Sequence, residues 1–212
     1  MSDRAFFISG IGTETGKTVA SAFLQLALDA DYWKPVQAGD LDFGDTDRVR
    51  AWTGMPAARY HPERYRLRTP ASPHHAAAVD GIAITLADFQ LPPTKNRLLV
   101  EGAGGLLVPL NERHCMIDLA AHLQLPVILV VRHYLGSINH TLLSLEALRN
   151  RGLRCRGIVL SGQPNPESTR IIARLSGVEV LAELPELAEV NETELRGSAA
   201  VAARRALSDA LR

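Results

Sequence analysis

Between a short apolar run, Ala5 to Ser9, and an amphipathic segment, Thr18 to Ala30, lies the stretch Gly10-Ile11-Gly12-Thr13-Glu14-Thr15-Gly16-Lys17-Thr18. A strand, a glycine-rich turn ending in Gly-Lys-Thr and a helix make the context of a phosphate-binding loop. Backbone N–H groups of such a turn and of the helix N-terminus point at phosphate oxygens, and the helix dipole favours the anion. Lys17 is placed to reach the β- and γ-phosphates, and the Thr18 hydroxyl to meet Mg²⁺. Gly12, Thr13, Glu14, Thr15, Gly16, Lys17, Thr18 and Val19 are therefore candidate nucleotide contacts. The spacing is a variant. Four residues ordinarily separate the first glycine from Gly-Lys-Thr, and that position is Ile11, flanked by Gly10 and Gly12.

The rest of the chain repeats the alternation of strand and helix. Tyr32 to Gln37, Arg97 to Glu101, Val127 to Val131, Gly157 to Leu160 and Val178 to Leu184 read as further strands. Val127 to Val131 is apolar throughout, as expected of a parallel strand covered on both faces. Ile138, Leu142, Leu145 and Leu148 fall on one helical face before Gly152, a suitable stop, and Ala199 to Leu211 reads as a last helix. The pattern predicts one α/β domain over residues 1–212, a mostly parallel sheet with helices on both faces. The irregular region from Asp40 to Pro93 is expected to form helices and loops above the strand ends, where ligands bind in open α/β sheets. Hydrophobic residues make up 46% of the 212, enough for a sizeable core. Acidic and basic residues balance at 23 each, which argues against a general nucleic-acid footprint. No apolar run nears the ~20 residues that span a bilayer, and Met1-Ser2-Asp3-Arg4 leads into no long apolar signal core. A cytoplasmic protein is expected, with Cys115 and Cys155 as free thiols.

Lysine is scarce. Of the 23 basic residues only Lys17, Lys34 and Lys95 are lysines. A compact ammonium does what a planar guanidinium cannot, so each invites a specific reason. Lys34, in the run WKPVQAGD, is expected to point into the crevice of the phosphate loop. Glu101 ends its strand and runs into Gly102, Ala103, Gly104 and Gly105. A carboxylate beside a loop with almost no side chains suits a metal ligand. Asp45 and Asp47 sit at an expected helix start, and taken alone read as capping residues. None of the seven histidines has zinc-site spacing.

Together these segments resemble the dethiobiotin synthetases. The matching pieces are GTETGKT at 12–18, WKPVQAGD at 33–40, TPASPH at 69–74, VEGAGGLLVPL at 100–110, LPVILVVRHYLGSINH at 125–140 and LAELPEL at 181–187. The resemblance implies a P-loop fold and a ligase that uses MgATP and carbon dioxide to turn 7,8-diaminononanoate into dethiobiotin, the penultimate step of biotin synthesis. It implies a carbamate first, then a carbamic–phosphoric mixed anhydride, then ring closure with release of phosphate. It makes Lys34 and Lys17 the catalytic lysines, and Thr18, Asp47 and Glu101 the metal ligands, with Asp47 preferred to Asp45. Gly102, Ala103, Gly104, Ser161, Gly162, Pro185, Glu186 and Leu187 would join the phosphate loop around the nucleotide. Thr13, Lys34 and Ala38 would meet the substrate, whose carboxylate tail would sit on Gly136, Ser137, Ile138 and Asn139 of a neighbouring subunit. A homodimer follows, with no nucleic-acid or membrane partner.

The match departs at three places. Ala38 stands where the family commonly carries Ser or Thr, so a hydroxyl contact is lost. Ser161 and Gly162 stand where an Asn often reads adenine, which leaves the base preference open. The chain between the first helix and Lys34 is short. His74 is expected to wall the substrate cavity. Rival readings are a nucleotide-dependent switch of the ParA or MinD kind, a glutamine-fed amidoligase and a non-catalytic paralogue. The switch proteins carry an extra lysine at the position of Gly12, and the amidoligase needs a glutaminase domain for which this chain has no room.

Overall fold

The computed structural model describes residues 4–197; the helix expected over Ala199 to Leu211 lies outside them. Nine strands are seen among the described residues: β1 (Ala5–Gly10), β2 (Asp31–Trp33), β3 (Val36–Ala38), β4 (Tyr60–His61), β5 (Tyr65–Leu67), β6 (Leu98–Gly105), β7 (Val127–Arg132), β8 (Cys155–Ser161) and β9 (Val180–Leu184). The helices are α1 (Lys17–Leu28), α2 (Asp45–Thr53), α3 (Pro73–Asp80), α4 (Met116–His122), α5 (Ser137–Asn150), α6 (Pro166–Ser176) and α7 (Glu192–Leu195). Seven strands form one sheet in the order β4-β2-β6-β1-β7-β8-β9, and every pairing in it is parallel.

Side chains on successive strand residues point to opposite faces, and β1 shows what that does here. Phe6 and Ile8 join a core with Phe23 and Leu24 of α1 and Val49 of α2. Phe7 points the other way, into a core with Ile117 of α4 and Leu145 and Leu148 of α5. Both faces are covered, which is why β7 is buried from Val127 to Val131. On α5 the predicted apolar stripe is only partly inward. Leu145 and Leu148 are buried, Ile138 and Leu142 half-buried, and Leu143 is exposed. No helix among the described residues is long and apolar enough to cross a membrane.

Three expectations need correction. The strand expected over Tyr32 to Gln37 is two strands in different sheets: β2 belongs to the large sheet, whereas β3 pairs with β5 in a separate parallel ribbon. The break falls at Lys34-Pro35, because proline has no N–H to donate to a ladder. Its carbonyl instead accepts from the N–H groups of Arg64 and Tyr65 at 2.9 and 3.0 Å. Second, β6 does not end at Glu101 but runs on through glycines to Gly105, which pairs with Gly10. A side chain at Gly102 would meet the Phe7 ring at 2.8 Å. Third, the irregular region supplies an edge strand, β4, as well as helices and loops.

That edge is tied down by one buried carboxylate. Asp31, opening β2, accepts from Arg59 Nη1 at 3.2 Å, Thr94 Oγ1 at 2.7 Å and Asn96 Nδ2 at 2.9 Å, and its Oδ2 lies 3.0 Å from His61 Nε2. Burial pushes its carboxyl up, and the hydrogen bonds from Thr94, Asn96, His61 and Arg59 outweigh this and hold it below the usual range. A carboxylate lowered in the folded state stabilises the fold above its unfolded pKa, and that contribution is lost as pH falls through the folded value. Asp31→Asn is expected to cost about 3 kcal/mol at pH 7. In urea melts at several pH values, the gap from the parent closes below about pH 4.

Candidate active site

The phosphate loop is built by close backbone contact. Ile11 continues the strand, its N–H donating to Val130 O at 3.1 Å, which accounts for a branched residue where the usual motif has glycine. The chain then turns sharply. A Cβ on Gly10 would lie 2.3 Å from Thr15 Oγ1, and one on Gly105 would lie 3.3 Å from Gly10 O and 3.4 Å from Gly12 N. The glycine-rich end of β6 is thus pressed against the loop. Gly16 caps α1 in the left-handed region, φ +83°, where a Cβ would also strike Ser161 Oγ. Lys17 curls back under the loop and donates to Gly12 O at 3.1 Å.

Beside the loop, a buried cluster holds the second lysine. Lys34 Nζ lies 2.7 Å from Asp45 Oδ2 and 3.0 Å from Glu101 Oε1, and donates to Gly102 O at 3.2 Å. Thr18 Oγ1 donates to the same Glu101 Oε1 at 3.1 Å. The other oxygen, Oε2, accepts from Tyr32 OH at 3.0 Å. The two lysines are both buried and shift in opposite directions. Burial would lower Lys34, but Glu101 and Asp45 outweigh it and raise its pKa above the usual lysine value. Lys17 has no such pair in contact. Burial, reinforced by repulsion from Lys34, brings it down to about 8.

The two aspartates of α2 face different partners. Asp47 is the N3 residue of α2, where its Oδ2 accepts from the Gly44 N–H at 3.0 Å and its Oδ1 faces Arg50 at 3.9 Å. Asp45, at the first position of the helix, is the acid that reaches Lys34. Gln37 sets that position, accepting from the Asp45 N–H at 3.2 Å.

A cavity of about 800 Å³ opens over this cluster. Thr13 to Val19, Lys34, Ala38, Glu101, Ala103 and Gly104 all contribute to its wall, so half of the predicted residues meet there, joined by Asp45. Asp47 does not line it. Ser72 and Pro73 line it, but His74 turns away, holding Ser72 Oγ at 2.9 Å while facing a separate hollow with Ile82 and Leu110. Gly136, Ser137, Ile138 and Asn139 open α5 and line neither this cavity nor the hollow beside α5. Ser161, Gly162, Pro185, Glu186 and Leu187 stand at the tips of β8 and β9, and Ser161 approaches the loop at Gly16. Sequence reasoning missed Tyr32, Gln37 and Arg132. Tyr32 could have been found, since it lies two residues before Lys34 and therefore faces the same way in an extended chain.

Comparison with known proteins bears on the family. A family described as an AAA domain matches residues 4–194. The chain is 50% identical over 192 residues to the ATP-dependent dethiobiotin synthetase BioD of Afipia carboxidovorans, covering 90% of this chain and 91% of that one. It is 48% identical over 183 residues to the protein of the same name from Christiangramia forsetii, covering 86% and 88%. Among solved structures, a ParA family ATPase from Chlorobium tepidum superposes with a TM-score of 0.51 at 15% identity, covering 99% of this chain and 97% of that one. The septum site-determining protein MinD from Pyrococcus horikoshii gives 0.52 at 18%, covering 98% and 93%. At that identity the likeness to these two proteins carries the fold alone.

Tyr32→Phe isolates one part of the cluster. It removes a buried hydrogen bond to a carboxylate with almost no change of shape, and is expected to cost about 2 kcal/mol. Urea denaturation of mutant and parent measures this directly.

Proposed function

This chain belongs to the dethiobiotin synthetase family, and from that premise we propose how its own residues carry out the ATP-dependent closure of the ureido ring. The enzyme is a ligase that takes ATP, a diamine and carbon dioxide to dethiobiotin. In the proposed sequence, one amine of 7,8-diaminononanoate takes up carbon dioxide as a carbamate. A carbamate oxygen then attacks the γ-phosphorus as the bond to ADP breaks, giving a mixed anhydride. The second amine attacks the carbonyl, phosphate leaves, and the ring closes. Both amines belong to one held molecule, so the last step gains from proximity.

The central difficulty is that carbamate and γ-phosphate are both anions. Cations between them lower that barrier. Lys34 supplies a charge held on by its carboxylate partners, and Lys17 supplies one that an arriving phosphate reinforces. What supports this reading above all is that the Lys34 ammonium is fixed, through Asp45 and Glu101, in the cavity on which the phosphate loop opens. We assign magnesium to Thr18, Asp45 and Glu101. A hydroxyl and two carboxylates suit a hard cation that also takes phosphate oxygens and water, and Thr18 Oγ1 already lies against Glu101. When bound, magnesium would neutralise charge on the β- and γ-phosphate oxygens.

We further propose a homodimer in which the α5 N-terminus of one subunit completes the site of the other. Gly136 to Asn139 present a helix N-terminus, suited to a carboxylate, away from their own chain's cavity. Leu107, Leu135 and Leu143 are exposed in the same region, where the hollow beside α5 is lined by Leu107 and Leu143. Leaving such side chains in water is unfavourable unless a partner covers them.

Two experiments test these proposals. With diaminononanoate, bicarbonate, Mg²⁺ and ATP, Lys34→Gln should lower the rate of dethiobiotin formation about a hundred- to a thousandfold while ATP still binds. Equal rates in mutant and parent would remove Lys34 from the mechanism. Leu143→Asp, on an exposed helix face, should yield monomers in sedimentation and lose turnover with them. A variant that sediments as the parent does would count against the dimer face.

A further inference from the structure

We propose that Arg132 holds the nucleobase, its guanidinium plane stacked on the face of the ring. This rests on the nucleotide reading of the cavity and adds a residue to which the family resemblance gives no role. The strand tips fix the geometry. Arg132 ends β7 and pairs with Ser161 of β8, which pairs with Leu184 of β9, while the Gly162 N–H donates to Leu184 O at 2.9 Å. The three tips therefore stand side by side. Their near end meets the phosphate loop, because a Cβ on Gly16 would lie 2.4 Å from Ser161 Oγ. A nucleotide with its phosphates in the loop runs its base toward these tips.

Positions 161 and 162 offer that base a hydroxyl and a bare glycine. Arg132 supplies the large planar group, and it lines the cavity. Its stem crosses Gly162, where a Cβ would come within 3.4 Å of Nε and 3.5 Å of Cγ. Beyond the glycine its Nη2 meets Glu186 Oε1 at 2.9 Å. Both partners are about half exposed, so the pair adds little to stability. What it does is orient the guanidinium along the line of the tips. A guanidinium is flat, weakly hydrated and stacks on rings, whereas an ammonium does not. Every base has a π-face, so this contact binds without choosing among bases.

Binding constants for ATP, GTP, CTP and inorganic tripolyphosphate, measured on the full chain, test the inference. Arg132→Ala should weaken all three nucleotides alike, by about tenfold, and leave tripolyphosphate unchanged. Arg132→Lys, which keeps the charge, should not restore them, and Glu186→Gln should weaken them by about twofold. Loss confined to one nucleotide would overturn stacking in favour of edge reading. Equal loss of tripolyphosphate, or rescue by lysine, would reduce Arg132 to a point charge, and unchanged binding would remove it altogether. A parent chain that binds none of the four would overturn the nucleotide reading itself, a result distinct from any of these.

Discussion

An ammonium group with two carboxylates in contact, all largely shut away from water, is the interaction on which the rest of this site is arranged. Burying any one of these charges alone would cost several kcal/mol. Lys34, Glu101 and Asp45 therefore stand or fall together, and each is delivered by a different part of the chain. Pro35 ends the hydrogen-bonding of β2 just where Lys34 must leave the sheet. The β6 strand brings Glu101 beneath it, and Tyr32 and Thr18 hold that carboxylate's two oxygens. Gln37 sets the first turn of α2 so that Asp45 closes the group.

The two lysines of one cavity differ in kind because their neighbours differ. Lys34 faces acids and keeps its proton across the physiological range. Lys17 faces a carbonyl and another cation, and its pKa of about 8 sits close to neutrality. An anion arriving in the loop raises that value, so Lys17 is the one whose charge depends on what is bound.

Much of this was legible beforehand. The loop and the parallel sheet follow from local pattern, because a strand–turn–helix with Gly-Lys-Thr has few alternatives, and the place of Lys34 after its strand pointed it toward the loop's crevice. What escaped depends on direction rather than spacing. Asp45 and Asp47 share one helical turn, and only the tertiary position of α2 decides which faces Lys34 and which caps its own helix. The split between β2 and β3 was signalled by Pro35, but the aromatic pair before it and Val36 after it read together as one strand. The two-residue β4 is too short for any periodicity. His74 sits in a matching motif yet lines a different hollow, since it is the second residue of α3 and its ring stays beside Ser72 on the side away from the cavity.

The tight seam of Gly10, Gly12 and Gly105 has a consequence of its own. It leaves so little material between the two hollows that Thr13 and Val108 belong to both walls. A substitution at either residue therefore reshapes both hollows at once, and neither can be recut independently of the other at these two positions.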